Sequence, residues 1–251
     1  MANVFLACPT YDGTMTSLTA RNVFATAARQ HNVLPASEDF SLIPLNCNRH
    51  WCRALNTRQA NQLHWFAMLH ADIGPEPWWI DKLIAEADKQ QADLLSAVVP
   101  IKSQFGMTST AIWRPGGPVG RPYRLSMAQL LHPAFPETFD IHAAVEALAR
   151  LPDDLREEGL PREALLVNTG CMVLRLDRPW ADERLWFDDL NGIERVNGEL
   201  QAVCKSEDWY FSHRVAQEGG QVMATKRVKL THRGFCHFPS DHAWGQPRDV
   251  G

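Results

Sequence analysis

The sequence predicts an α/β fold, a mostly parallel central sheet with helices on both faces. Two observations carry that expectation. From residue 3 to residue 100, short apolar runs bounded by proline or turn residues alternate with helix-compatible segments, the pattern of parallel strands joined by crossover helices. The hydrophobic content of 45% is that of a globular chain with a sizeable core.

The elements follow in order. "NVFLACP" is an apolar run ended by proline and reads as a buried strand. "TYDGTMTS" supplies turn chemistry and an N-cap, and residues 17–30 continue as a helix with Leu18, Val23 and Ala27 on one face. "FSLIPLN" is the second strand candidate, "RHWCRALNTRQANQL" an amphipathic helix and "HWFAML" the third strand. "PWWIDKLIAEADKQQ" has proline at its start and apolar residues at helical spacing, and "ADLLSAVVP" is a further buried strand. "WRPGGPVGRPYR", 113–124, is dense in Gly, Pro and Arg and reads as a loop over one face of the sheet. "DIHAAVEALARLPDDLREEGLPREA" begins helical and becomes a charged connection; "LLVNTGCMVLRL" is a pair of strand-like pieces broken at Asn168-Thr169-Gly170. "SEDWYFSHRVAQEGG" reads as a helix capped at Ser206, and "QVMATKRVKLTHRG" as a closing strand. No internal repeat or low-complexity segment interrupts this order.

Composition narrows the function classes. A formal net charge of −4 argues against a general nucleic-acid-binding surface, although "KRVK" at 226–229 is locally basic. No apolar stretch reaches the length of a membrane span, and "MANVFLACPTYDG" has no basic region ahead of its apolar run. The expectation is a cytoplasmic protein without a membrane anchor. Six cysteines, Cys8, Cys47, Cys52, Cys171, Cys204 and Cys236, form no CxxC pair and are expected to be reduced. A zinc site from Cys47, His50 and Cys52 lacks a matching second pair. Nine tryptophans, among them Trp65, Trp78, Trp79, Trp186 and Trp209, offer flat apolar walls for a core, or for a sugar or base.

The polar motifs fall where such a sheet binds ligands, outside the carboxyl ends of its strands. In "HWFAMLHADIGPEPWW" the apolar run stops at His70-Ala71-Asp72. Residues two apart on a strand share a face, so His70 and Asp72 are presented together. Cys8-Pro9-Thr10 in "CPTYDG" also falls at a predicted carboxyl end; "NTGCMVLR", then "SEDWYF" opening a helix, then a strand closing on "THRG" come later in the chain. In this order the motifs resemble a GT-A glycosyltransferase of the small bacterial and phage-type family related to the large inverting family 2, over residues 3–238.

The resemblance implies a single GT-A-like domain over 1–251, with a nucleotide-binding half at 3–100 and an acceptor and metal-completing half at 101–251. It implies sugar transfer from a nucleotide-sugar donor, with a UDP-sugar favoured, to a hydroxyl acceptor on a glycan, a protein or a modified DNA base. The Asp-x-Asp metal motif of the family reads His-Ala-Asp here. Asp72 is then the metal ligand and His232 completes the site. His70 departs from the pattern, either as a ligand that shifts the expected cation from Mg²⁺ toward Mn²⁺ or as a hydrogen-bond partner of ribose or phosphate. His237 and His242 follow His232 without a pattern of their own. Asp208 matches the general base that accepts the acceptor's proton, with Glu207 beside it; an acidic helix start also compensates the helix dipole. Pro9, Thr10, Tyr11 and Asp12 match the loop that receives base and ribose. Arg53 and Asn56 match donor-facing residues, Lys102 can reach a phosphate, and Gly170 lets backbone approach a sugar. A binding module without turnover, or a nucleotidyltransferase, are the alternatives. The second lacks a Gly-rich, lysine-bearing loop after the first strand.

Overall fold

The computed structural model describes residues 1–116, 120–196, 198–234 and 237–241. Its first part runs β1 (Asn3–Thr10), α1 (Ser17–Phe24), β2 (Asn32–Asp39), α2 (Ile43–Thr57), β3 (Leu63–Leu69), β4 (Ile73–Pro75), α3 (Trp79–Gln90) and β5 (Leu94–Ala97). Then come β6 (Met107–Ile112), β7 (Tyr123–Ser126), α4 (Met127–Leu131), β8 (Thr138–Phe139), α5 (Ile141–Ala149), β9 (Leu165–Leu166) and β10 (Cys171–Arg175). A hairpin of β11 (Leu190–Val196) and β12 (Glu199–Lys205) leads into α6 (Glu207–Gln217), followed by β13 (Val222–Thr225), β14 (Leu230–Arg233) and β15 (His237–Pro239).

The expected α/β class holds. Seven strands form the central sheet in the order β2-β1-β3-β10-β5-β13-β8. β2, β1, β3, β5 and β13 run one way, whereas β10 and β8 run against them. β1 and β3 are apolar on both faces because both faces are covered. Their period-2 alternation sends Phe5, Ala7, Phe66 and Met68 toward α2, α5 and α6, and Val4, Leu6, Cys8, Trp65 and Ala67 toward α1 and α3. On the first face Trp51 meets Phe66 edge-on at 5.2 Å, and Phe187 stacks on Phe211 at 4.1 Å. Two further small sheets, β15-β14-β4 and β7-β6-β9, flank the main one. No helix among the described residues is long and apolar enough to cross a membrane.

Three expected elements differ. The helix expected over 17–30 stops at Phe24, because the backbone beyond it is committed to α3. Thr26 O and Ala27 O accept from Trp78 N and Ile80 N at 2.7 and 3.2 Å, and Asp81 accepts from Arg29 N at 2.7 Å. The second strand is not "FSLIPLN" but Asn32–Asp39, whose Pro35 is tolerated on the edge of the sheet. "IPLN" opens α2, with proline in its first turn. The closing strand is two strands, β13 in the main sheet and β14 paired with β4 and β15.

β10 positions the site. It lies antiparallel between β3 and β5, with Cys171 opposite Leu69 and Met172 opposite Ser96. The turn before it, Asn168-Thr169-Gly170, therefore abuts the end of β3, where His70 N donates to Gly170 O at 2.9 Å. A Cβ at Gly170 would stand 2.6 Å from Ile73 Cδ1 and 2.9 Å from His70 Nδ1. The missing side chain of this glycine admits the His70 turn. Gly170→Ala should thus cost about 1–3 kcal/mol, the range for forcing extra atoms into a packed site. Urea unfolding should show a lower midpoint at unchanged slope; an unchanged midpoint would refute the close-approach reading.

Candidate functional site

Above the carboxyl ends of β1 and β3 lies a cleft of about 650 Å³, within the size range of small-molecule sites. Pro9, Tyr11, Asp12, His70, Asp72, Lys102, Glu207, Asp208 and His232 line it, so most of the expected site residues meet in one place. Thr10 does not line it. It is buried, with its hydroxyl donating to Glu38 O and accepting from Gly13 N, and so shapes the loop from beneath. Asp12 folds back on the same loop, accepting from Thr14 N at 3.0 Å and from the Thr14 hydroxyl; that hydroxyl, first, holds its carboxyl below the ordinary range. Thr16 N donates to Ala71 O at 2.9 Å, which ties this loop to the His70–Asp72 turn.

Arg53 and Asn56 lie elsewhere. α2 buries Asn46, Cys47, His50, Trp51 and Ala54 against the sheet, which turns Arg53 and Asn56 outward to a separate surface hollow. There Arg53 pairs with Glu38 at 3.7 Å. The same rotation separates buried Cys47 and His50 from exposed Cys52, so these three do not assemble a zinc site. Cys8, Cys47, Cys52, Cys171 and Cys204 are free thiols. Cys236 and His242 lie outside the described residues, as does the side chain of His237.

At one end of the cleft, Asp72 Oδ2 is ion-paired with Lys102 Nζ, and His232 Nε2 stands 3.5 Å away. Burial works to raise the Asp72 carboxyl, but His232 and then Lys102 hold it well below the ordinary carboxylate range. His232 Nδ1 donates to Pro100 O at 2.7 Å, and Arg233 N donates to Asp72 O at 2.8 Å. His70 also faces the cleft, and its buried Nε2 has no hydrogen-bond partner among the described residues.

A divalent cation is what the family resemblance implies at this end, and the donor set does not fit one. Asp72 is the single carboxylate of its turn and is engaged by a lysine. Among the described residues, no three His, Cys, Asp or Glu side chains gather in a way that could hold a metal ion. Mg²⁺ in particular requires near-octahedral oxygen ligands.

At the other end, the acids sit at the start of α6. Asp208 is buried and receives three hydrogen bonds: from Asn168 Nδ2 at 2.6 Å, Thr169 N at 3.0 Å and the Thr169 hydroxyl. Asn168 Nδ2 also donates to Ser109 Oγ at 3.2 Å, so the β9–β10 turn is tied to β6 as well as to α6. The expected cap by Ser206 is absent. Its side chain makes no cap bond, and Asp189, next to the β11–β12 hairpin, accepts from Glu207 N at 2.8 Å instead. Burial pushes the Glu207 carboxyl up to about 9, with the charges of Asp208 and Asp189 adding to the effect. Burial beside two other carboxyls thus favours the protonated form of Glu207.

Several lining residues escaped the sequence reading. Arg233 is adjacent to His232 in the quoted "THRG", and Asn168 belongs to the quoted "NTG". Asp189, which stands behind Glu207 and not in the lining, had no local signal, because its partner is 18 residues away.

No family model matches the chain, and no curated protein matches it. Among solved structures, the fold is similar to that of A197 from STIV, with a TM-score of 0.51 over 100% of this chain and 97% of that one. At 12% identity, this likeness concerns the fold alone.

Proposed function

We propose that this protein transfers a sugar from a nucleotide-sugar donor to a hydroxyl acceptor in this cleft. The observation that carries the reading is the convergence of two unlike groups on one cavity. A corner with two permanent cations, Lys102 and Arg233, and the imidazole of His232 suits a diphosphate, and a pair of acids at the α6 start suits a proton acceptor. The exposed Tyr11 beside Asp12 offers a stacking face and a carboxylate to a base or ribose. UDP is the favoured nucleotide from the family resemblance, and a glycan, a protein or a modified DNA base are the acceptor classes.

In this reading the acceptor hydroxyl oxygen attacks the anomeric carbon. The bond from that carbon to the phosphate oxygen breaks, and the diphosphate leaves with the electron pair. Asp208, aimed by Asn168 and Thr169 and receiving bonds without giving any, takes the hydroxyl proton. Direct displacement inverts the anomeric centre. Glu207, which holds its own proton, offers a hydrogen bond to the acceptor. The division follows the general rule that paired titratable groups with unlike surroundings take unlike roles.

The test is release of nucleoside diphosphate from UDP-, GDP- and dTDP-sugars, alone and with candidate acceptors. Asp208→Asn should lower turnover by about 10²–10⁴-fold, the contribution of a positioned acid or base. Glu207→Gln, which keeps a donor, should retain most of it. Equal losses for both would contradict the division of roles, and no release from any donor would contradict the function.

Glu207 also sets a pH dependence of stability. Its folded value, about 9, lies above its ordinary 4.5, so between these limits the folded state binds more protons than the unfolded one. Its contribution to stability is complete below about 4.5 and declines as pH climbs toward 9. Glu207→Gln should therefore flatten the loss of Tm between pH 6 and 9, by about 2–4 °C for each kcal/mol removed. Parallel Tm profiles for wild type and variant would exclude this linkage.

A further inference from the structure

The corner that the family resemblance assigns to a metal ion already holds a cation. Lys102 Nζ is paired with Asp72, yet the Lys102 side chain remains 39% exposed at the cleft wall. An ammonium has three donors. Asp72 Oδ2 takes one, which leaves two for other oxygen atoms. Lysine recognises phosphate as a point charge on such terms.

The loop that carries Lys102 is fixed from both sides. Ile101 N donates to Met107 O at 3.0 Å, and Ser103 N donates to Ile101 O at 2.8 Å. Pro100 O accepts from His232 Nδ1, which joins the loop to β14. β14 is in turn joined to the Asp72 turn through Arg233 N and through its pairing with β4. The ammonium is thus held in place before any ligand arrives, and preorganised charge acts without reorganisation cost. Arg233, exposed at the same end, adds a second permanent positive charge. Asp72 then serves as the anchor of a lysine.

We propose that Lys102, anchored by Asp72 and flanked by His232 and Arg233, binds the diphosphate of the nucleotide ligand in place of a divalent cation. The inference rests on the nucleotide-sugar reading above, and it makes binding independent of metal.

Calorimetric titration of UDP, GDP and dTDP into the full chain, in EDTA and again in Mn²⁺ or Mg²⁺, tests it. One nucleotide should bind in EDTA with an affinity within about threefold of that with metal, less than half a decade on the scale of 1.4 kcal/mol per tenfold. Lys102→Met should weaken that binding about 10–100-fold, the loss expected for charge-assisted hydrogen bonds. Lys102→Arg should keep most of it, and circular dichroism should show both variants folded. Binding only in the presence of metal would overturn the proposal while leaving the sugar-transfer reading standing, with Asp72 and His232 then assigned as ligands. Undiminished binding by Lys102→Met in EDTA would also overturn it. No binding of any nucleotide under any condition would overturn both readings.

Discussion

The site depends on one constraint, the insertion of β10 against the grain of the sheet between β3 and β5. An antiparallel strand at that position brings its preceding turn to the edge where the neighbouring strands present their carboxyl ends. Asn168, Thr169 and Gly170 consequently lie beside His70, and Gly170 is the residue whose missing side chain makes the approach fit. The same turn then grips α6 through the three hydrogen bonds to Asp208. A β3 strand end and a helix start far apart in sequence are coupled through a single three-residue turn.

That coupling concentrates unlike electrostatics within one cleft. At the β3 end, a lysine and a histidine meet one carboxylate, and an arginine lines the cleft beside them. At the α6 end, Glu207, Asp208 and Asp189 crowd together, and the crowding is relieved by a retained proton on Glu207. The fold itself is held chiefly by the two apolar layers over and under β1 and β3. Buried like charges are unfavourable to folding, so a cluster of this kind points to a task other than holding the chain together.

How much of this was legible in the sequence depended on whether a feature was local. β1, β3, α3 and β5 were readable because both-face burial writes itself as an apolar run and an amphipathic helix as a 3.6 period. β2 is hard to read because an edge strand is less apolar and this one carries Pro35, whereas the neighbouring "FSLIPLN" is the more apolar run. That shift mattered for the site, since starting α2 at Ile43 fixes which face is buried and turns Arg53 and Asn56 away. Asp72, Glu207, Asp208 and His232 could be placed near strand and helix ends by position alone. Their partners could not: the pairing of Lys102 with Asp72 and the capping of α6 by Asp189 are long-range contacts that no spacing rule encodes. His70-Ala71-Asp72 did carry a signal. Its turn offers one carboxylate, and in the structure that carboxylate takes one lysine.

A crystal structure of the protein with a bound nucleoside diphosphate would test the central claim most directly. The account predicts diphosphate oxygens at about 2.7–3.2 Å from Lys102 Nζ, with the nucleoside extending toward Tyr11 and the β1 loop. A nucleotide seated in the hollow beside Arg53 and Asn56, or a diphosphate in the cleft that leaves Lys102 bound to Asp72 alone, would contradict it.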